Sequence, residues 1–283
     1  MRHHAAVPLL LAVGACGGGG PKIALRYHPP AGAVYHFGVE QRTTVSADSG
    51  PLAKMGRRQI LMRLYFTQTV KGPVSGGTEV DVVFETITME IPGVPSSLMG
   101  SALAGLQGLR GTLVIDERGA VFRSDFAPTP GLSPDIAKRL AGGVNSMAFG
   151  FPERQVGRGD SWTIKAELPL DQIPGMSASS SEVARTTLTV REIRVEGSDT
   201  SVVLDVKTEF PSEPIHIATA AESGTMKLEG GTAGHQVFSL SRGALVDGTI
   251  KGTMKVHLSG SGLGPAGMTM QTETENSIAL LPD

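Results

Sequence analysis

Apolar and polar residues alternate with period two through most of the chain, which predicts antiparallel strands. In one stretch Ile250, Met254, Val256 and Leu258 fall on one face, and Lys251, Thr253, Lys255 and His257 on the other. The same alternation sets Val202, Leu204, Val206 and Phe210 against Val203, Asp205, Lys207 and Glu209. It also sets Tyr35, Phe37 and Val39 against His36, Gly38 and Glu40. Farther on, Met268, Met270, Ile278 and Leu280 share a face with Thr272, Thr274 and Asn276. One apolar and one polar face per strand implies a sheet that is wet on one side. Gly and Asp cluster at 72–77, 117–119, 196–199 and 241–243, where turns are expected.

Several landmarks recur in order. GAVY at 32–35 resembles GDSW at 159–162, with Tyr35 and Trp162 separated by 127 positions. TEVDV from Thr78 resembles TSVVLDV from Thr200, an offset of 122, and ERGAVF at 117–122 resembles SRGALV at 241–246 with an offset of 124 at the shared glycine. Near-equal offsets predict a duplicated unit of strand, long hairpin and short hairpin. The expected fold class is mainly β: a large curved, half-barrel-like antiparallel sheet of roughly 11 or 12 strands, since either half alone lacks strands to cover its apolar face. It forms a single domain over 23–283, with halves at about 23–131 and 150–283.

Two segments break the β pattern. Around 133–148, Ser133 suits an N-cap, Pro134 the first helical position and Asp135 the first turn. Ile136, Leu140, Val144 and Met147 then line one face, so a helix is expected to join the halves and pack on the sheet. In VPSSLMGSALAGLQGLRG, residues Leu98, Met99, Leu103, Leu106 and Leu109 fit one side of a second helix. Gly100, Gly105 and Gly108 weaken it by about 1 kcal/mol each. This stretch, charge-free over 92–109, is expected to be a flap over an apolar ligand or, more simply, a lid over a packed core.

The N-terminal segment adds an address. MRHHAAVPLLLAVGACGGGG has Arg2 as a positive start and an apolar run over 5–15. That run is shorter than the roughly 20 residues a membrane span needs, but it suits a signal peptide. It closes with Val13, Gly14, Ala15 and Cys16, which resembles the lipobox of bacterial lipoproteins. The resemblance implies cleavage between Ala15 and Cys16 and a diacylglycerol on the Cys16 thiol, with 1–15 as signal peptide and 16–22 as lipidated tether. Gly17 follows the cysteine where an Asp would resemble an inner-membrane retention signal, which points to the outer membrane. Cys16 is the only cysteine, so an intrachain disulfide and a cysteine metal site are excluded.

Composition narrows the partners. The 25 Lys and Arg against 27 Asp and Glu give a net charge of −2, with no basic field for nucleic acid. The 37 glycines and 18 charged residues per hundred speak against a helical bundle, and the 40% apolar content against a disordered chain. Gly262, Gly264 and Gly267 fit G-x-G-x-x-G, but Pro265 lies inside it and a strand pattern follows instead of a helix. His28, His36, His216, His235 and His257 have no ligand spacing, so no metal site or other cofactor is expected. His36 and His257 fall on polar faces and read as solvated. No G-x-S-x-G elbow occurs, Ser179, Ser180 and Ser181 read as a polar turn, and no carboxylate pair stands out. No catalytic residue is assigned. Tyr35 and Trp162 are expected to anchor the core.

GFPERQVGRGDSWTI at 150–164 is similar to a pattern in uncharacterised bacterial lipoproteins, where an FPxxPVxxGDSW run opens the second half of the chain. Gln155 stands where that pattern has Pro. An early strand like LRYHPPAGAVYHF and a hairpin like TLVIDERGAVF accompany it. The resemblance brings no activity. It implies an architecture like the curved half-barrels of periplasmic lipoprotein carriers and mycobacterial lipid-binding lipoproteins, an analogy of fold alone. The expected function is a non-catalytic lipoprotein of the cell envelope, anchored at the periplasmic face of the outer membrane. Its partners are the membrane, through the Cys16 lipid, and an apolar small molecule or lipid. Met62, Met89, Met99, Met268 and Met270 suit an adaptable lining for such a ligand. The alternative is a structural or interaction lipoprotein with a fully packed core and no ligand.

Overall fold

A computed structural model of the chain describes residues 22–49, 53–54, 56–127, 150–167, 176–178, 183–219, 223–260 and 267–282. The expected signal peptide, Cys16 and the helix expected at 133–148 lie outside these residues. The elements in chain order are β1 (Val34–Ala47), β2 (Arg58–Val74), β3 (Gly77–Glu90), α1 (Ser96–Leu103), β4 (Arg110–Ile115) and β5 (Val121–Phe126). They continue as β6 (Ser161–Glu167), β7 (Met176–Ala178), β8 (Val183–Glu196), β9 (Asp199–Glu209), β10 (Ile215–Thr219), β11 (Ser223–Ser239), β12 (Ala244–Gly260) and β13 (Met268–Leu280). All the strands belong to one antiparallel sheet, with the path β5-β4-β3-β2-β1-β13-β12-β11-β9-β8-β6 and with β10 and β7 beside the far part of β11. The sheet is open, because β5 and β6 end the path without pairing to each other.

Strand order repeats along that path. The sequence β5-β4-β3-β2-β1 is followed, after β13, by β12-β11-β9-β8-β6. The Gly32 N–H donates to the Val70 carbonyl and the Val70 N–H to that of Ala33; Gly159, Val190 and Asp160 make the same two bonds. Each valine is followed by a bulge, between Val70 and Gly72 and between Val190 and Glu192. Tyr35 and Trp162 are the second residues of β1 and β6. Tyr35 is buried and donates its hydroxyl to the Arg242 carbonyl; Trp162 packs partly buried on the same core and donates Nε1–H to the Gly150 carbonyl.

The core gathers at one end of the sheet, where the β2–β3, β4–β5, β8–β9 and β11–β12 hairpins turn. Two irregular straps, 22–32 and 150–160, cross this end and supply side chains that no strand could place there. Ile23 and Val156 exchange backbone hydrogen bonds of 2.8 Å, Tyr27 N–H reaches the Glu117 carbonyl, and Phe151 N–H reaches that of Arg118. Leu25, Tyr27, Phe151 and Val156 are buried among Phe37, Val80, Leu204 and Phe238. Burial pushes the Tyr27 hydroxyl far above its ordinary pKa, although Gln68 Nε2 donates to it at 2.7 Å. The stretch 25–31, expected as the start of a strand, is strap, because Pro29 and Pro30 lack the N–H a ladder needs.

Gly243 and Gly159 test how tightly the straps are held. Both have left-handed φ, +58° and +85°. A Cβ on Gly159 meets nothing within 4 Å, whereas one on Gly243 lies 2.5 Å from the backbone of His28 and Pro29. Gly159→Ala is therefore expected to cost about 1–2 kcal/mol for the backbone conformation alone. Gly243→Ala should cost clearly more and loosen the 22–32 strap. Urea midpoints of the two variants check this; equal losses would mean that the strap yields freely.

A carboxylate ties two of the hairpins together. Asp199, at the β8–β9 turn, accepts from Ser241 Oγ at 2.6 Å and from the fully buried Ser239 Oγ at 2.9 Å. These hydroxyls, Ser241 first, hold the Asp199 carboxyl below its ordinary pKa. Its contribution is thus complete above the unfolded value near 3.9 and is lost as pH falls through the lower folded value. Asp199→Asn is expected to cost about 1 kcal/mol near neutrality, less whatever solvent screens. It should also flatten the loss of stability below about pH 4. Denaturation midpoints of both proteins between pH 2 and 7 check this.

Candidate ligand-binding face

Register assigns every strand residue to one of two faces. Pairing across the sheet aligns Leu64, Val39, Ile278, Gly248, Gln236 and Leu204 in one row of the core-side, inner face. The next row away from the core reads Met62, Gln41, Asn276, Ile250, Gly234 and Val206. The row beyond reads Ile60, Thr43, Thr274, Gly252, Thr232 and Thr208. Past that polar row the inner face turns apolar again. Val256 pairs with Met270 and Leu228, and Leu258 with Met268 and Met226. Ile215, Ile217, Met226 and Leu228 form a second buried cluster, with Phe210, Met254, Val256 and Leu258 packed partly buried against it.

The inner face thus has a packed end, a polar middle and a second apolar end, where Met226 is buried and Met254, Met268 and Met270 are half-buried. Met268 and Met270 belong to this end, and Met62 pairs directly with Met89 on the flank of the polar middle. Both pairs carry soft, adaptable side chains of the kind expected for a lining. Backbones approach closely here: a Cβ on Gly234 would run into the Thr249 carbonyl, and one on Gly230 into that of Thr253.

Charge is segregated to the outer face. Lys251 pairs with Glu275 at 2.8 Å, Lys207 with Glu209 at 2.7 Å, and Arg63 bridges Glu40 and Glu90 at 3.0 and 2.8 Å. The guanidiniums of Arg63 and then Arg42 hold the Glu40 carboxyl below its ordinary pKa. A hollow of about 820 Å³ on this side is lined by Arg42, Lys207, Glu209, Lys251, Glu273 and Glu275, whose opposite charges largely pair with one another. His36 and His257 do have outward register, but neither is merely solvated. Each is half-buried with Nδ1 at hydrogen-bond distance from a cross-strand threonine, Thr67 at 2.8 Å and Thr269 at 3.0 Å. Among the described residues no three His, Cys, Asp or Glu side chains form a group that could hold a metal ion.

The expected flap is divided. α1 contains Leu98, Met99 and Leu103 and ends there, so Leu106 and Leu109 do not continue its face. Leu98 is 60% exposed, Met99, Leu103 and Leu106 are half-buried, and Leu109 is fully buried. The Leu109 carbonyl accepts from Phe84 N–H at 2.9 Å, which makes this residue the lead-in to β4. Glycines explain the short helix: Gly108 has φ +77° and its N–H turns back to the Phe84 carbonyl. Beside the start of α1 lies a hollow of about 340 Å³ lined by Leu61, Met89, Ile91, Pro92, Val94 and Ser96 among others. Sequence reasoning missed the polar row, because Thr43, Thr274 and Thr232 come together only through the pairing of strands distant in the chain.

No family model matches the chain, and no characterised protein is significantly similar to it in sequence. Among solved structures it is similar to one titled "Lipid-protein interactions in lipovitellin", at 10% identity and TM-score 0.48 over 89% of this chain. The chain spans about a quarter of that protein's length, 25%. It also resembles DynF from the dynemicin biosynthesis pathway of Micromonospora chersina, at 8% identity and TM-score 0.23 over 93% of this chain and 86% of that one. A mutant Rh. blastica porin matches at 8% identity and TM-score 0.29 over 87% of this chain and all of its own.

Proposed function

We propose that the chain is a lipoprotein anchored through Cys16 at the periplasmic face of the outer membrane, and that it binds an apolar or lipid ligand along the inner face of its sheet without catalysing a reaction. The observation that carries the binding is the second apolar end of the inner face. Met254, Val256, Leu258, Met268 and Met270 continue the apolar register beyond the part the straps fill, and they stay half-buried. A core closed to its partners would pack such side chains to crystal-like density; a carrier leaves them for its ligand. The anchoring rests on the run Val13-Gly14-Ala15-Cys16 and on Cys16 being the only thiol.

The test is native mass spectrometry, with lipid extraction, of full-length Cys16→Ser protein purified from an envelope-bearing host. A co-purifying lipid, lost when Met254 and Met270 are both replaced by Glu, is the expected result. Absence of any lipid would hand the protein to the other class, an interaction lipoprotein whose surface meets envelope partners.

A further inference from the structure

Resting on that carrier reading, we infer that the ligand is an uncharged amphiphile, acyl chains joined to a polar but un-ionised group such as a glyceride or sugar ester, whose polar group lies on Gln41, Thr43, Thr232, Gln236, Thr274 and Asn276. Gln41 pairs directly with Asn276 and Thr43 with Thr274 on neighbouring strands. Thr232 joins them across Gly252, and Gln236 lies one row nearer the core, where Gly248 separates it from Ile278. At Gly252 no side chain stands between Thr232 and Thr274. Five of the six are half-buried and Asn276 is exposed, and no described residue makes a hydrogen bond with any of their side chains. Three primary amides and three hydroxyls therefore lie on the inner register with donors and acceptors to spare.

The described inner face offers a charged head almost no counter-charge. From the straps to the rim, the inner register of the described strands holds no Asp, Glu or Lys, and its one Arg is Arg58, exposed at the first position of β2. Burying an ionised group without a counter-charge is far costlier than burying a hydroxyl or an ester that is hydrogen-bonded. A wholly apolar ligand lying on this band would cover the half-buried Gln41 amide without pairing it, which also costs free energy. The apolar rows on both sides of the band, Leu64, Val39 and Ile278 toward the core and Met254, Val256 and Met270 away from it, suit chains running from a central polar group.

Full-length Cys16→Ser protein loaded with pyrene is titrated with dioleoylglycerol, sodium oleate and dioleoylphosphatidylglycerol, and displacement is read by fluorescence. Dioleoylglycerol should displace pyrene at about a tenfold lower concentration than either charged competitor, the equivalent of one net hydrogen bond. In Gln41→Leu/Asn276→Leu that preference should fall to about one while pyrene still binds. Thr43→Val/Thr274→Val serves the same purpose if the first pair does not fold. Failure to bind pyrene at all would overturn the carrier reading itself. Binding of pyrene with equal or better displacement by oleate or the phospholipid, or a preference that survives both double variants, would overturn the neutral-amphiphile inference and leave the carrier reading standing.

Discussion

Phe238→Ala is expected to lower the unfolding free energy by about 3–5 kcal/mol, the usual range for removing a fully buried aromatic ring. Phe238 is 1% exposed on β11, and Phe151 of the second strap meets it edge-on with ring centroids 4.7 Å apart. Phe151 is itself completely buried. Losing the ring would remove the area that Phe238 keeps from water and the aromatic contact, and would leave a cavity under a segment with few backbone hydrogen bonds of its own. The strap should then open before the sheet does. Proteolysis at Arg154 or Arg158 should accelerate more than the drop in global stability accounts for. Urea unfolding and timed trypsin digestion measure the two effects; a loss below about 1 kcal/mol would mean that the site collapses around the gap.

Cys16→Ser should change location completely. The lipidated chain is expected to begin at Cys16 and to partition into detergent, and each buried methylene of its acyl chains adds about 0.8 kcal/mol of anchoring. With a serine there is no thiol to acylate, because the chain has no other cysteine. The variant should therefore appear in the aqueous phase or as an uncleaved precursor. Intact mass and detergent phase separation decide it, and a wild-type chain recovered without acyl groups would end the lipoprotein reading.

Much of the sheet could be read from the sequence, since each strand has one wet face and period two records that fact locally. Ile250, Met254, Val256 and Leu258 do share the inner face, and the turns at 196–199 and 241–243 sit where glycine and aspartate cluster. Pairing is a different matter. Nothing in MTMQTETENSIAL says that its neighbours are β1 and β12, and nothing in LRYHPP says that Leu25 and Tyr27 plug the end of the sheet. The flap failed to extend because leucine spacing suggested a helical stripe, while Gly108 turned the backbone and delivered Leu109 to a strand instead. The polar row was hidden for the same reason as the pairing. Thr43 and Thr274 are unremarkable separately and meaningful only when opposite each other.

β13 enters the sheet between β1 and β12, so the last strand in the chain joins the first half to the second. Its partners are hundreds of residues upstream in one case and only a few residues upstream in the other, and the distant pairing raises contact order and slows folding. A chain crossing a membrane N-terminus first would deliver both halves before the strand that seams them, and until then β1 and β12 would each present a long unpaired edge. Such edges recruit other chains. A stop codon before Met268 is accordingly expected to give aggregates and not a smaller soluble protein, as sedimentation of the truncated chain would reveal. The seam would leave a nascent chain dependent on protection, with the greatest hazard in the interval before β13 arrives.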